Sequence, residues 1–322
     1  MTGLRKITAL LGGAVAALGL TTSAFALDPG YRALDAQHTL VIDTTKGRIV
    51  VEMYPELAPN HVERLTTLTR QHFYDGLIFH RVMENFMDQT GDPKGDGSGG
   101  SALPNVKAEF TVRHDTSFPM VVASHPAGSL IGFVGAMPVQ SQVAELAAIT
   151  NDGKTQAWGL YCQGTVGMAR DNDNDSANSQ FFLMRDPNAT LEKTYTAFGT
   201  VVSGLDIVRK IKIGVPAVNP DKMLKVQVLA DMPDADRPNI EIMDTASPQF
   251  QAVIEQTRKT KGADFSACDV KIPMKDLNAP VVAAADAVTP PAAYSTPLVS
   301  PGPGAGVAPQ GGSTAGLNPN GY

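Results

Sequence analysis

The sequence predicts an all-β fold, a barrel of short antiparallel strands with two helices. Three observations carry this. Runs of β-forming residues recur along the chain, glycine-rich turns separate them, and the strand–helix–strand rhythm of a parallel sheet is missing. Thr39–Thr45 alternates, Lys46-Gly47 makes a turn, and Arg48–Tyr54 runs back, a hairpin signature. Pro55 and Pro59 bracket its exit. Asn60 then reads as a helix N-cap with Glu63 at the capping-box position, and Val62, Leu65, Leu68 and Thr69 share one helical face that ends near Gly76. Phe79–Asp92 reads as two short strands and Gly95–Gly100 as a flexible loop. Gly164–Arg170 and Ser179–Met184 are two more strands around an acidic loop. Thr196–Val202 is a strand, Leu205–Ile211 a short helix, and Leu224–Leu229 the final strand.

Two segments stand outside this pattern. Residues from about 115 to 163 interrupt the strands, and Val139–Ile149 within them reads as a helix whose Val143, Leu146, Ala147 and Ile149 must cover something. That helix is either a structural cap on the barrel or a lid over a neighbouring groove. Residues 232–278 follow the last strand and hold a second helix near Phe250–Arg258. Both segments are read as additions packed on the barrel.

The ends indicate where the protein works. Residues 1–26 have a basic start (Arg5, Lys6), an apolar stretch from Ile7 to Leu20 and a small-x-small site at Ala24-Phe25-Ala26, the pattern of a secretory signal peptide. The apolar stretch is shorter than the roughly 20 residues of a spanning helix, so no membrane span is expected after the signal is removed. Residues 279–322 are dense in Pro, Gly and Ala and read as disordered. The chain is 43% hydrophobic, enough for an ordinary core. Its formal charge of −6 becomes −8 once Arg5 and Lys6 leave, and an acidic domain without a basic stripe excludes nucleic acid as a partner. The expected location is periplasmic or otherwise exported. In that oxidising setting the two cysteines, Cys162 and Cys268, either bridge the two additions or remain buried thiols.

The most informative residues are Phe79-His80-Arg81-Val82, then Phe86-Met87-Asp88-Gln89-Thr90-Gly91-Asp92. A second block joins Gly167-Met168-Ala169-Arg170 to Ser179-Gln180-Phe181-Phe182-Leu183. Neither block holds a nucleophile or a metal cage. One fixed cation, a carboxamide and an apolar floor suit a reaction that breaks no covalent bond. Rotation about an X-Pro peptide bond is such a reaction: it is slow because the amide is resonance-stabilised, and a donor aimed at the prolyl nitrogen favours the twisted state.

Together the two blocks resemble the active groove of a cyclophilin-type peptidyl-prolyl isomerase, and the resemblance covers residues 38–231 apart from the insertion. It implies a closed eight-stranded antiparallel barrel capped by two helices, here with an insertion and a C-terminal extension. It implies that Arg81 is the catalytic arginine and that Phe86, Met87, Phe182 and Leu191 form the proline pocket. Gln89 and Gln180 would contact the substrate backbone, and Ala169 and Arg170 would form the edge that binds the peptide main chain. Tyr195 takes a pocket position where many relatives carry His, and Thr190 one where several carry Trp, so only weak cyclosporin binding is expected. The implied substrates are proline-containing peptides and unfolded exported proteins, with no cofactor and no metal. The alternative is a cyclophilin-fold peptide-binding or chaperone module with little catalysis.

Other motifs are weaker. Asp171–Ser176 mimics the start of a calcium loop, but Ser176 and Phe182 stand where that loop needs Gly and Glu. The glycines of 95–100 lack the Gly-Lys-Ser/Thr ending of a phosphate loop. His80 reads as structural, and no His pair has metal spacing.

Overall fold

The computed structural model describes residues 27–278. The signal-peptide reading of 1–26 and the disordered-tail reading of 279–322 lie outside them. In chain order the elements are β1 (Tyr31–Ala33), β2 (Thr39–Thr44), β3 (Gly47–Met53), α1 (Pro59–Arg70), β4 (Arg81–Val82) and β5 (Met87–Thr90). Next come β6 (Val112–His114), β7 (Met120–Ser124), β8 (Ser129–Val134), β9 (Met137–Gln142), β10 (Thr155–Gly159), β11 (Thr165–Met168) and β12 (Phe181–Met184). The chain continues through β13 (Ala197–Ser203), α2 (Leu205–Lys210), β14 (Met223–Val228), β15 (Ile240–Met243), α3 (Pro248–Lys261) and β16 (Met274–Asp276).

Eight strands form the main sheet in the order β14-β2-β3-β13-β11-β12-β5-β4, each pair antiparallel. The strand number is the one expected, but the ladder does not close. Between β4 and β14 there are only isolated bridges, Ile78 with Lys222 and Val82 with Gly214. The seam strand would have to run through residues 212–222, where Pro216 and Pro220 have no N–H to donate. The sheet is therefore curled and open, with a stitched seam.

Strand alternation sorts the side chains onto two faces. Leu40, Ile42, Ile49, Val51, Phe181 and Leu183 point inward, where Val62, Leu65 and Leu68 of α1 and Val208 of α2 join them in one core. Val41, Val50, Phe182 and Met184 point outward, yet they are buried too. Both faces are covered, which is why these strands read as near-continuous apolar runs. The outer cover comes from the insertion together with Leu34, Met232, Ile240 and Ile242 of the two flanking segments.

Asn60 is not the N-cap of α1. The cap position is Ala58, which has no capping side chain, and Pro59 and Asn60 are already helical. The cap comes from elsewhere: the Glu109 carboxylate accepts the Asn60 N–H at 3.1 Å and the His61 N–H at 3.1 Å. A carboxylate from 49 residues downstream thus does the work that a local Ser or Asp usually does.

The insertion is also different from the expected helix. Residues 139–142 belong to β9, and 144–149 form a short 3-10 helix. Val139 and Ser141 are buried while Gln140 and Gln142 are half-buried, so the true period is two. Ile149 is 81% exposed and covers nothing. The insertion is a five-stranded sheet, β6-β10-β9-β8-β7. Val134, Met137 and Val139 pack on the outer face of the main sheet. Phe133, Trp158 and Leu160 pack on the opposite side against Phe250 and Ile254 of α3. The extension helix is found where expected, lengthened to Pro248–Lys261 and capped by the Ser247 hydroxyl, which accepts the Phe250 N–H at 3.2 Å. Strand β15 pairs with both β1 and β16, joining the two ends of the described chain. Cys162 and Cys268 form a disulfide with Cα atoms 5.0 Å apart, linking insertion to extension.

Candidate active site

The site is a single row across four neighbouring strands. Arg81 on β4 faces Gln89 on β5, Gln89 faces Phe182 on β12, and Phe182 faces Gly167 on β11. Directly opposed residues share one face of a sheet, so the cation, the amide and the ring are placed side by side by register alone. Their neighbours Val82 and Phe181 are buried on the inner face and fix which side the row occupies.

Two turns complete the groove. Met83 N–H donates to the Met87 carbonyl and Phe86 N–H to the Met83 carbonyl, which sets Phe86 at the mouth. Asn188 caps the short 3-10 turn Ala189–Leu191 by accepting the Thr190 N–H, and Tyr195 N–H donates to the Leu191 carbonyl. Leu191 and Tyr195 are thereby brought across from Phe182, whose ring meets Tyr195 edge-on at 5.9 Å.

Arg81, Phe86, Met87, Gln89, Ala169, Arg170, Phe182, Leu191 and Tyr195 line one cavity of about 170 Å³. That is close to the volume of a cavity that holds a benzene-sized ring. The tenth expected residue, Gln180, lies just behind it. The Arg81 guanidinium donates to Gln89 Oε1 at 3.3 Å, Gln89 Nε2 donates to Gln180 Oε1 at 2.9 Å, and Gln180 Nε2 donates to the carbonyls of Gly97 and Gly99. The glycine-rich loop, expected to be flexible, is held by this relay and by Asp92, which accepts the N–H groups of Lys94, Asp96 and Gly97.

Burial holds the Arg81 guanidinium below its ordinary pKa, and an arginine stays charged at neutral pH regardless. Its Cζ lies 5.8 Å from the Phe86 ring. Burial likewise lowers the pKa of His80, which is 3% exposed and sits beneath the groove. Arg170 stacks on Tyr195 at 4.6 Å and on Phe110 at 5.6 Å, and its Nε donates to the Thr194 carbonyl. The Ala169 N–H already donates to the Gln180 carbonyl at 3.0 Å. Thr190 is exposed and does not line the cavity. A larger cavity of about 420 Å³ lies along α1, but Asn60, Glu63, Arg64, Thr67, Asn105 and Lys107 make its wall mostly polar and open.

Sequence reasoning missed Tyr161. It stacks on Phe182 with centroids 5.9 Å apart and planes at 22°. It also missed Phe110, the second ring under Arg170. Nothing in the local spacing marks either, because both reach the site from outside the two motif blocks.

The family model of the cyclophilin type peptidyl-prolyl cis-trans isomerases matches residues 39–230. The chain is similar to a probable peptidyl-prolyl cis-trans isomerase of Brucella suis, 34% identical over 215 residues, covering 62% of this chain and 86% of that protein. It is similar to peptidyl-prolyl cis-trans isomerase-like 1 of Emericella nidulans, 30% identical over 191 residues, 59% of this chain and 91% of that one. Among solved structures it is similar to cyclophilin AquaCyp293 from Hirschia baltica, with a TM-score of 0.70 and 32% identity over 76% of this chain and 92% of the other.

Proposed function

The chain belongs to the cyclophilin-type peptidyl-prolyl cis-trans isomerase family and is a peptidyl-prolyl cis-trans isomerase; from that premise we propose how its groove turns an X-Pro bond. The carrying observation is the register row Arg81–Gln89–Phe182. The proline ring enters the apolar cavity against Phe86, Met87, Phe182 and Leu191. As the amide twists, the prolyl nitrogen pyramidalises and gains a lone pair, and the Arg81 guanidinium donates to it. That bond exists only in the twisted state, so it lowers the barrier without tightening the ground state. Gln89 buttresses Arg81 and offers its amide to the substrate carbonyl. Because the Ala169 N–H is taken, Ala169 itself can offer the substrate only its carbonyl. Exclusion of water from the cavity removes the solvation that favours the planar amide.

The test is cis/trans exchange of a proline peptide by the mature protein. Arg81→Ala is expected to lower kcat/KM by about 10²- to 10³-fold, the cost of deleting one preorganised donor, with the melting temperature unchanged. An unchanged rate would defeat this mechanism, and a wild type without activity would leave a peptide-binding module.

The proposed clients are unfolded exported proteins, with assistance to their folding as the role. The signal-like residues 1–26 and the Cys162–Cys268 bridge support a periplasmic or otherwise oxidising location. Mass spectrometry of the native protein, with its N-terminus at residue 27, would support export; an intact Met1 would oppose it. Weak cyclosporin binding follows from Thr190, which offers no ring beside Leu191. Thr190→Trp is expected to tighten inhibition by about ten- to a hundredfold, the gain from one buried aromatic side chain. The main sheet is read as an open, curled half-barrel whose seam is stitched by two bridges. Among the described residues no helix is long and apolar enough to cross a membrane.

A further inference from the structure

The insertion does more than cover the outer face of the sheet. Its last residues run directly behind the pocket. Tyr161 is 2% exposed, and its ring stacks on Phe182 with centroids 5.9 Å apart, while Tyr195 meets the same Phe182 ring edge-on. Phe182 is thus held by two rings, one from the insertion and one from the pocket turn. The grip needs Gly167: a Cβ there would stand 2.6 Å from the Tyr161 hydroxyl and 2.8 Å from the Phe182 ring. A methyl group at 167 would push the two rings apart.

The same stretch holds the pocket turn at three points. The Asn188 N–H donates to the Tyr161 carbonyl at 2.9 Å. Trp158 Nε1 donates to the Glu192 carboxylate at 3.3 Å. The Lys193 ammonium stands 4.1 Å over the Trp158 ring, in a backbone conformation with φ of +58°. Leu191 and Tyr195, two of the cavity walls, lie between and beside these anchors. Trp158 is itself 7% exposed and packed in the cluster that holds α3. Cys162, the next residue after Tyr161, is bonded to the extension. The Tyr161 hydroxyl is buried without a partner, and burial raises its pKa well above the ordinary tyrosine value. The side chain is kept there for its ring and not for a hydrogen bond.

We infer that Tyr161 is a positioning residue for the isomerase groove: with Trp158 it fixes Phe182 and the 188–195 turn, so the insertion sets the affinity of the proline pocket. This rests on the groove being the isomerase site. Tyr161 does not touch Arg81, so its contribution is to binding shared by ground and transition states, and KM should carry the effect.

The experiment compares Tyr161→Leu and Tyr161→Phe in the mature chain, with kcat, KM, a peptide Kd by NMR titration, and thermal melting. Tyr161→Leu is expected to raise KM and Kd about three- to tenfold, the change that loss of one aromatic pair gives. Its kcat should stay within about twofold. Tyr161→Phe keeps the ring and should restore KM and Kd to the wild-type values. A folded Tyr161→Leu protein with wild-type KM overturns the inference, because a merely structural residue would shift only the melting curve. Should that variant fail to fold, Glu192→Ala carries the test: releasing the turn from Trp158 is expected to raise KM about two- to threefold, as one lost hydrogen bond does, and an unchanged KM overturns the inference. A wild type that binds the peptide but turns none over would defeat the isomerase reading, while the Kd ratios would still decide the role of Tyr161.

Discussion

The groove and the frame behind it are built by opposite means. The groove takes its row Arg81–Gln89–Phe182 from strands that adjoin in the sheet, β4, β5 and β12, at one register level. The frame is assembled from distant pieces. Strand β1 pairs with β15, more than 200 residues away. Arg32 on β1 donates twice to Glu52 on β3, at 2.6 and 2.7 Å, while the Tyr54 hydroxyl both donates to Glu52 and accepts the Ala136 N–H of the insertion. One disulfide spans 106 residues. The difference teaches where each property is encoded. Chemistry here depends on local register, which a short motif can specify. Rigidity depends on burial between remote segments, which no short motif can specify.

Stability and catalysis should therefore separate under mutation, and the largest effect tests this first. Phe250 of α3 is fully buried and meets Phe133 of the insertion edge-on at 5.2 Å. Phe250→Ala is expected to cost about 3–5 kcal/mol, the usual loss for a buried aromatic truncated to alanine. Below its lowered melting temperature, kcat/KM on a short proline peptide should remain within about twofold of wild type. If kcat/KM collapses while circular dichroism shows a folded protein, the two regions are not separable and the comparison breaks.

The disulfide sharpens the comparison because it touches both regions. The Cys162→Ser, Cys268→Ser double variant is expected to lose about 2–4 kcal/mol by chain entropy, with about 4.7 as the ceiling for a loop near 100 residues. Thiol titration of the unreduced, denatured wild type should find no free thiol; two would rule the bridge out. Since Cys162 follows Tyr161, this variant should also raise KM slightly, unlike Phe250→Ala. Equal KM in both variants would place the whole frame outside the function.

These expectations mirror what could be read from the chain. The hairpin and the two barrel helices follow from alternation and turn chemistry, which depend on neighbours within a few residues; eight of the ten expected groove residues lie in the two motif blocks, and the family resemblance those blocks carry supplied the roles and added Leu191 and Tyr195. The failures share the opposite trait. Val139–Ile149 fits a helical face as well as a strand, and only pairing with β8 and β10 decides it. Asn60 and Glu63 make a plausible local cap, but Glu109 wins the N–H groups from across the loop. Closure of the barrel depends on a seam where two prolines remove donors. Tyr161 enters the site through tertiary packing alone. The alternating reading of Thr39–Thr45 also missed a long-range fact: Leu40, Val41 and Ile42, like Phe181–Met184, are apolar at successive positions because both faces of these strands are covered.

The smallest effect isolates one such long-range contact. Glu109 is half-buried, which by itself pushes its pKa up. The bonds it accepts from the His61 ring, the Asn60 N–H and the His61 N–H outweigh this and hold it below its ordinary value of 4.5. A carboxylate with a lowered folded-state pKa adds stability that is fully present above the unfolded value. That stability is lost as pH falls through the folded value. Glu109→Gln is therefore expected to cost about 1 kcal/mol at pH 7, the scale of one lost helix cap. The gap between the two melting curves should narrow as the pH falls below 4.5 and through the lowered folded-state value, where the wild-type carboxylate takes up its proton. A gap that stays constant with pH would mean that the α1 cap depends on shape and not on charge. The contact would then belong with the packing of the frame and not with the electrostatics of the helix end.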